Sequence, residues 1–134
     1  MNAPVLDCSV ACAWLLEDER VPGADRVLGQ AGTHGASAPG LFWAELRNAL
    51  VMAERRGRLT PTQTTEALTE IEHLDVELDH APDEETTLRL ARDHRLSVYD
   101  ALYLELAIRQ KRELATLDTA LQRAAESEGV AVCR

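Results

Sequence analysis

Ser97-Val-Tyr-Asp-Ala-Leu-Tyr-Leu-Glu-Leu-Ala-Ile108, followed closely by Glu113-Leu-Ala-Thr-Leu-Asp118, decides the fold. Nine of the eleven residues at 98–108 are apolar or aromatic. A surface helix carries a single apolar stripe; one that is apolar nearly all round packs on more than one side, inside a fold. Yet its first turn carries Asp100, and acids are seldom buried without a partner or a metal. Leu114-Ala-Thr-Leu117 reads as a short buried strand that stops on a second acid, Asp118. Two carboxylates therefore stand where a buried helix begins and a buried strand ends.

The rest of the chain alternates in the same way. Ala3-Pro-Val-Leu-Asp7 is a strand, and Ser9 or Asp7 caps a helix over residues 10–16. A short helix is expected over residues 23–30, and the glycine-rich segment after it allows only a brief strand at Ser37-Ala38. Pro39-Gly40 opens a long helix to about Arg56 that Gly57 stops. Its stripe of Phe42, Leu46, Ala49, Leu50 and Ala53 has helical spacing. Thr60-Pro61 starts a helix to about Leu74, with Thr as cap and Pro at the first position. Residues 75–79 form an alternating strand, Pro82-Asp83 open a helix to about Arg95, and the buried helix follows. After the strand at 113–117 come a helix at 119–127, ended by Gly129, and a last strand at 130–132. Alternation at this pace predicts an α/β fold: a parallel, about five-stranded sheet with helices on both faces. Residues 1–134 are expected to form one domain, without repeat or linker.

Composition narrows the function. Hydrophobic content of 46% and charged content of 28% suit a soluble globular chain. Nothing resembles an export signal or a membrane span. The three cysteines Cys8, Cys12 and Cys133 then point to reduced thiols and a cytoplasmic setting. Cys8 and Cys12 are one helical turn apart, but no CxxC or paired-histidine pattern accompanies them, so they read as small buried hydrophobes. A net charge of −9 argues against gripping nucleic acid by bulk electrostatics. Residues 59–88 hold nine acids and no Lys or Arg, whereas Arg47, Arg55, Arg56 and Arg58 crowd one helix and give it a basic edge. Five aromatic residues are too few to suggest a base-stacking platform.

In open parallel sheets, sites lie outside the carboxyl ends of the strands, where helices begin. Asp7, Asp100 and Asp118 all fall there, and Glu45, early in the long helix, is a fourth candidate. Its helical neighbours Leu41, Phe42, Ala49 and Met52 are all apolar. Each acid has a plainer role open to it. Asp100 fits a capping box with Ser97, Asp118 and Asp7 fit N-caps, and Glu45 suits the positive end of its helix. Together, four acids on one rim need a cation or protons, since two carboxylates at about 4 Å repel by about 4 kcal/mol at an effective dielectric of about 20. An oxygen-only set suits Mg²⁺ or Mn²⁺ rather than zinc.

Val5-Leu-Asp-Cys-Ser-Val10, Leu41-Phe-Trp-Ala-Glu-Leu-Arg-Asn48, Ser97-Val-Tyr-Asp-Ala-Leu-Tyr103 and Ala115-Thr-Leu-Asp118 resemble, in order and spacing, the motifs of PIN-domain ribonucleases. Within that family they are most similar to the VapC-type toxins of bacterial toxin–antitoxin pairs. The resemblance implies a five-stranded parallel sheet between helices. It implies that Asp7, Glu45, Asp100 and Asp118 bind one or two Mg²⁺ or Mn²⁺ ions, with Ser9, Asn48 and Thr116 orienting the acids or a water. It further implies an RNA substrate, a cognate antitoxin that fills the groove, a homodimer, and contact with operator DNA only through the antitoxin complex.

A metal in an acidic pocket lets that pocket accept an RNA phosphate, and Arg47, Arg55, Arg56 and Arg58 are candidates to guide the strand. None of His34, His73, His80 and His94 lies in a motif, which disfavours a histidine-driven ribonuclease. Two other readings stay open. An aspartyl phosphotransferase also begins with Asp at the end of strand one, but wants a second Asp two residues on, where this chain has Ser9. A non-catalytic module would use the acidic pocket to dock a basic peptide, with an Arg in place of metal.

Overall fold

Helices start where the first-turn chemistry allows. The computed structural model describes residues 3–16, 29, 32 and 34–133. It runs β1 (Val5–Leu6), α1 (Cys8–Leu15), β2 (Ala36–Pro39), α2 (Phe42–Arg55), α3 (Pro61–Glu72), β3 (Val76–Asp79), α4 (Glu84–His94), α5 (Val98–Gln110), β4 (Leu114–Ala115) and α6 (Thr119–Ser127). Thr60 and Gln63 form a full capping box on α3, with Pro61 at the first position. Asp83, Ser97 and Asp118 each accept a backbone N–H at the start of α4, α5 and α6. Gly57 and Gly129, at φ 74° and 77°, stop α2 and α6.

The four strands are parallel, in the order β3-β2-β1-β4. Every residue of β1, β2 and β4 is buried, so the sheet is covered on both faces. The chain steps from β1 outward to β3, then crosses back to β4. Right-handed crossovers place α1–α3 on one face and α4–α6 on the other. Consistent with this, α1 packs on α2 and α2 on α3, while α5 packs on both α4 and α6. Leu6, Leu46, Leu50, Leu90, Leu104, Leu106, Leu114 and Leu121 are sealed from solvent between these layers.

The structure differs from the sequence reading in three respects. The last strand is reduced to one parallel bridge, Leu114 to Val132, so the sheet has four strands rather than about five. β2 is longer than Ser37-Ala38: it pairs from Ala36 to Pro39 with β3, because small buried side chains fit between two neighbours. There Ser37 Oγ donates to Gln110 Oε1 at 2.9 Å. β1 and β4 are shorter than expected, Val5–Leu6 and Leu114–Ala115, and beyond β4 the Leu117 and Asp118 N–H groups turn to the Ser9 and Thr116 hydroxyls. The short helix expected over 23–30 lies, apart from Gly29, outside the described residues.

The buried helix hides one acid that its apolar pattern did not advertise. Glu105 is 1% exposed. Arg109, one turn on, holds it by Nε to Oε2 at 2.8 Å and Nη2 to Oε1 at 2.9 Å. The same guanidinium reaches Asp79 at the end of β3, Nη1 to Oδ1 at 3.1 Å and Nη2 to Oδ2 at 2.6 Å. α5 is thereby tied across β2 to the far edge of the sheet.

Candidate functional site

The crevice between β1 and β4, at their carboxyl ends, is where the chain direction reverses, and it is where a parallel sheet places its ligand. Asp7 leaves β1 there. It occupies the position before α1 but makes no side-chain cap bond. Instead its Oδ2 accepts from Ser9 Oγ at 2.9 Å and Thr116 Oγ1 at 2.6 Å. Leu117 N–H donates to Ser9 Oγ at 3.0 Å and Asp118 N–H to Thr116 Oγ1 at 3.1 Å. The end of β4 thus gives up sheet pairing to bind two hydroxyls, and those hydroxyls hold Asp7. Ser9 and Thr116, expected beside the acids, are found there.

The other acids arrive on helix starts. Asp118 caps α6 through Oδ1, which accepts from Leu121 N–H at 3.0 Å, so the cap uses one of its two oxygens. Asp100 lies in the first turn of α5, where its N–H donates to Ser97 Oγ at 3.0 Å. Glu45, in the first turn of α2, accepts from Tyr103 Oη on α5 through Oε1 at 2.6 Å. That bond brings the starts of α2 and α5 together.

The acids act on one another. Burial raises the Asp7 pKa above the usual carboxyl range, the charge of Asp118 adds to this, and the hydroxyls of Thr116 and Ser9 offset part of it. Burial raises Glu45, helped by Asp7 and Asp100 and opposed by the Tyr103 bond. Burial also raises Asp100, followed by repulsion from Asp7 and Asp118. Among the described residues no Lys or Arg pairs with any of the four. Nor do three or more His, Cys, Asp or Glu there stand close enough for a ready-made coordination shell. A hard cation that keeps several of its waters, as Mg²⁺ does, takes only one or two carboxylates directly. The donor set is all oxygen and its negative charge is unrelieved; both fit such an ion.

Other expected residues bond none of the acids. Asn48 is exposed on α2 and bonds none of the acids. Arg47 covers the Trp43 ring, its guanidinium carbon 4.0 Å from the ring centroid. Arg55 and Arg56 end α2, about 15 Å along the helix from Glu45 at 1.5 Å per residue. Arg58 lines a cavity of about 420 Å³ with Leu15, Leu59 and Gln63, beside α3. The Cys8 and Cys12 sulfurs are 3.6 Å apart; that contact and burial push the Cys8 thiol up, so it stays protonated as a small core side chain.

Tyr103 was missed from the sequence, although its place three residues after Asp100 puts both on one helix face. It is fully buried and positions Glu45. Tyr103→Phe is expected to cost about 1.5–3 kcal/mol, as for a hydrogen bond to a charged group. Because that bond lowers the Glu45 pKa, its loss moves the acidic limb of the pH–activity profile upward. A profile that superposes on wild type would show that Glu45 does not depend on Tyr103.

This arrangement defines a class: an open parallel α/β domain with four carboxylates at its switch point. The family model of the PIN domain matches residues 5–127, and the chain belongs to the PIN domain family, whose members are generally nucleases. The fold is similar to the crystal structure of PAE2754 from Pyrobaculum aerophilum, with a TM-score of 0.71 and 22% identity over 92% of this chain and 84% of that one. No curated protein matches the sequence. Among the described residues no helix is long and apolar enough to cross a membrane.

Proposed function

We propose that the chain is a Mg²⁺- or Mn²⁺-dependent endoribonuclease and the toxin of a toxin–antitoxin pair. The observation that carries the nuclease reading is the meeting of Asp7, Glu45, Asp100 and Asp118, from four separate elements, with their charge unrelieved. These four would hold one or two cations. When bound, such an ion lowers the pKa of water and neutralises charge gathering on the phosphate and the leaving oxygen. The chain's own groups then divide the work. Ser9 and Thr116 fix Asp7 Oδ2, and Tyr103 fixes Glu45 Oε1. Glu45, its pKa raised, is the member of the set best suited to take the proton of the attacking water. Water's oxygen adds to phosphorus as its proton passes to Glu45, the phosphorus–oxygen ester bond breaks, and the leaving oxygen takes its proton from solvent.

The toxin role rests on the ordered motifs. A cognate antitoxin segment carrying an Arg would pair with the same acids and compete with the metal. Homodimerisation, a cytoplasmic setting and contact with operator DNA only through the antitoxin complex belong to the same reading.

Antitoxin-free protein incubated with a mixed RNA pool is the direct test. Cleavage is expected with Mg²⁺ or Mn²⁺ and none with EDTA. Folded protein that cuts no RNA under either metal would turn the reading toward a peptide-docking module.

A further inference from the structure

The large apolar side chains that the fold leaves exposed are not scattered. Among the described residues they are Trp43 at 55%, Val51 at 39%, Val98 at 46%, Tyr99 at 64% and Leu117 at 42%. Single exposed hydrophobes are ordinary, but a collected patch marks a contact surface. Four of these five lie within two residues of a site acid. Trp43 is two before Glu45, Val98 and Tyr99 immediately precede Asp100, and Leu117 precedes Asp118.

The fold brings them to one pole. The Tyr103–Glu45 bond joins the starts of α2 and α5. Leu117 is anchored there through its N–H bond to Ser9, and the charge of Asp118 reaches Asp100. Side chains of a helix lean toward its N-terminus, so first-turn residues Trp43 and Tyr99 project past the helix ends that carry Glu45 and Asp100. The count of aromatic residues pointed away from a stacking platform; their placement points toward one.

Resting on the ribonuclease reading above, we infer that Tyr99, with Leu117 and the Trp43–Arg47 stack, is the surface on which the bases beside the cut phosphodiester stack. Every base offers a π face to an aromatic ring, and only an unpaired base can be splayed onto one. The Arg47 guanidinium on Trp43 puts a positive charge beside a neighbouring phosphate without entering the acid cluster. Tyr99 and Trp43 are therefore positioning and selecting residues: they seat the strand so that its phosphate meets the acids, and they favour unpaired segments.

The test is equilibrium binding, with Mg²⁺, of a short phosphorothioate RNA strand carrying 2-aminopurine, whose fluorescence falls when the base stacks. Wild type is expected to quench it. Tyr99→Ala should raise Kd about tenfold and lose the quench, Tyr99→Phe should keep both, and Val51→Ala, away from the pole, should match wild type. The same strand in a duplex should bind at least about tenfold more weakly. Unchanged binding and quenching in Tyr99→Ala would overturn the inference. So would an altered oligomeric size with RNA binding intact, which would assign the rim to a second copy of the chain. Wild type that binds no strand overturns it as well. Cleavage of unmodified RNA by the same proteins separates the two proposals. Stacking without cutting sinks the nuclease and leaves the rim; cutting that ignores Tyr99→Ala sinks the rim alone.

Discussion

Asp100→Asn is expected to lower RNA cleavage by about a hundredfold or more and, in metal-free protein at pH 7, to raise the melting temperature. The first effect follows from removing one of four carboxylates at the pole. The second follows from what those carboxylates cost. Burial and neighbouring charge raise the pKa values of Asp7, Glu45 and Asp100 in the folded chain. A raised carboxyl pKa means that the folded state binds protons more readily than the unfolded one. Its contribution to stability is fully present below the unfolded pKa, near 4, and is lost as pH rises through the folded pKa. At pH 7 the metal-free site is therefore a destabilising element, and the neutral amide relieves it.

An opposing effect is the loss of a negative charge near the start of α5, worth about 0.3–1 kcal/mol against the helix dipole. The N–H bond of residue 100 to Ser97 survives, because it belongs to the backbone. Relief of burial and of repulsion from both Asp7 and Asp118 outweighs the dipole, so a net gain of about 3 °C is expected, the size of a change near 1 kcal/mol in a chain of this length. The gain should shrink as pH falls through the raised folded pKa and vanish below the unfolded value near 4, where the wild-type carboxyl is protonated in both states. Mg²⁺ or Mn²⁺ should reverse the order, since only a protein that binds the ion gains stability from it. Melting curves at pH 4 and pH 7, with and without the ion, check all three statements. Metal-free Asp100→Asn melting below wild type at pH 7 would remove the repulsion from the account.

Much of this site was legible in the chain because acids at strand ends and helix starts are local features. Ser97, Thr60-Pro61, Gly57 and Gly129 act as read, and so does the helix they frame at α5. What escaped depends on distant partners. The glycine-rich approach to β2 allowed only a brief strand at Ser37-Ala38, yet β2 lies between β1 and β3 and pairs with β3 from Ala36 to Pro39. β4 stops early because Leu117 and Asp118 spend their N–H groups on Ser9 and Thr116, more than a hundred residues apart in sequence for the first pair. Asp7 was open to a cap role as well as a site role; the fold gives it no cap bond and ties it to the Ser9 and Thr116 hydroxyls expected beside the acids. Asn48, one turn beyond Glu45, is exposed and bonds none of the acids, which motif order does not report.

Arg109→Met is expected to cost about 3–5 kcal/mol of stability, the usual result of stripping the partner from a buried charge. Total stability of a domain is about 5–15 kcal/mol, so this is a large share. Among the described residues Glu105 has no hydrogen-bond partner but Arg109, and it is 1% exposed, so it cannot turn to water. Asp79 differs. Its side chain is partly exposed and also accepts from Ala81 N–H at 3.2 Å, so it loses a partner without being stranded. Replacing Glu105 and Arg109 together by Met removes both charges and should recover most of the loss, since the stranded charge at the buried position 105 is gone and an apolar pair of similar volume takes its place. Activity of the folded protein should change little, because Arg109 lies about 13 Å along α5 from Asp100. Urea unfolding of the single and double variants measures the difference. If Arg109→Met unfolds within about 1 kcal/mol of wild type, the ion pair behaves as a surface bridge, and the tie between α5 and β3 is not what holds the two together.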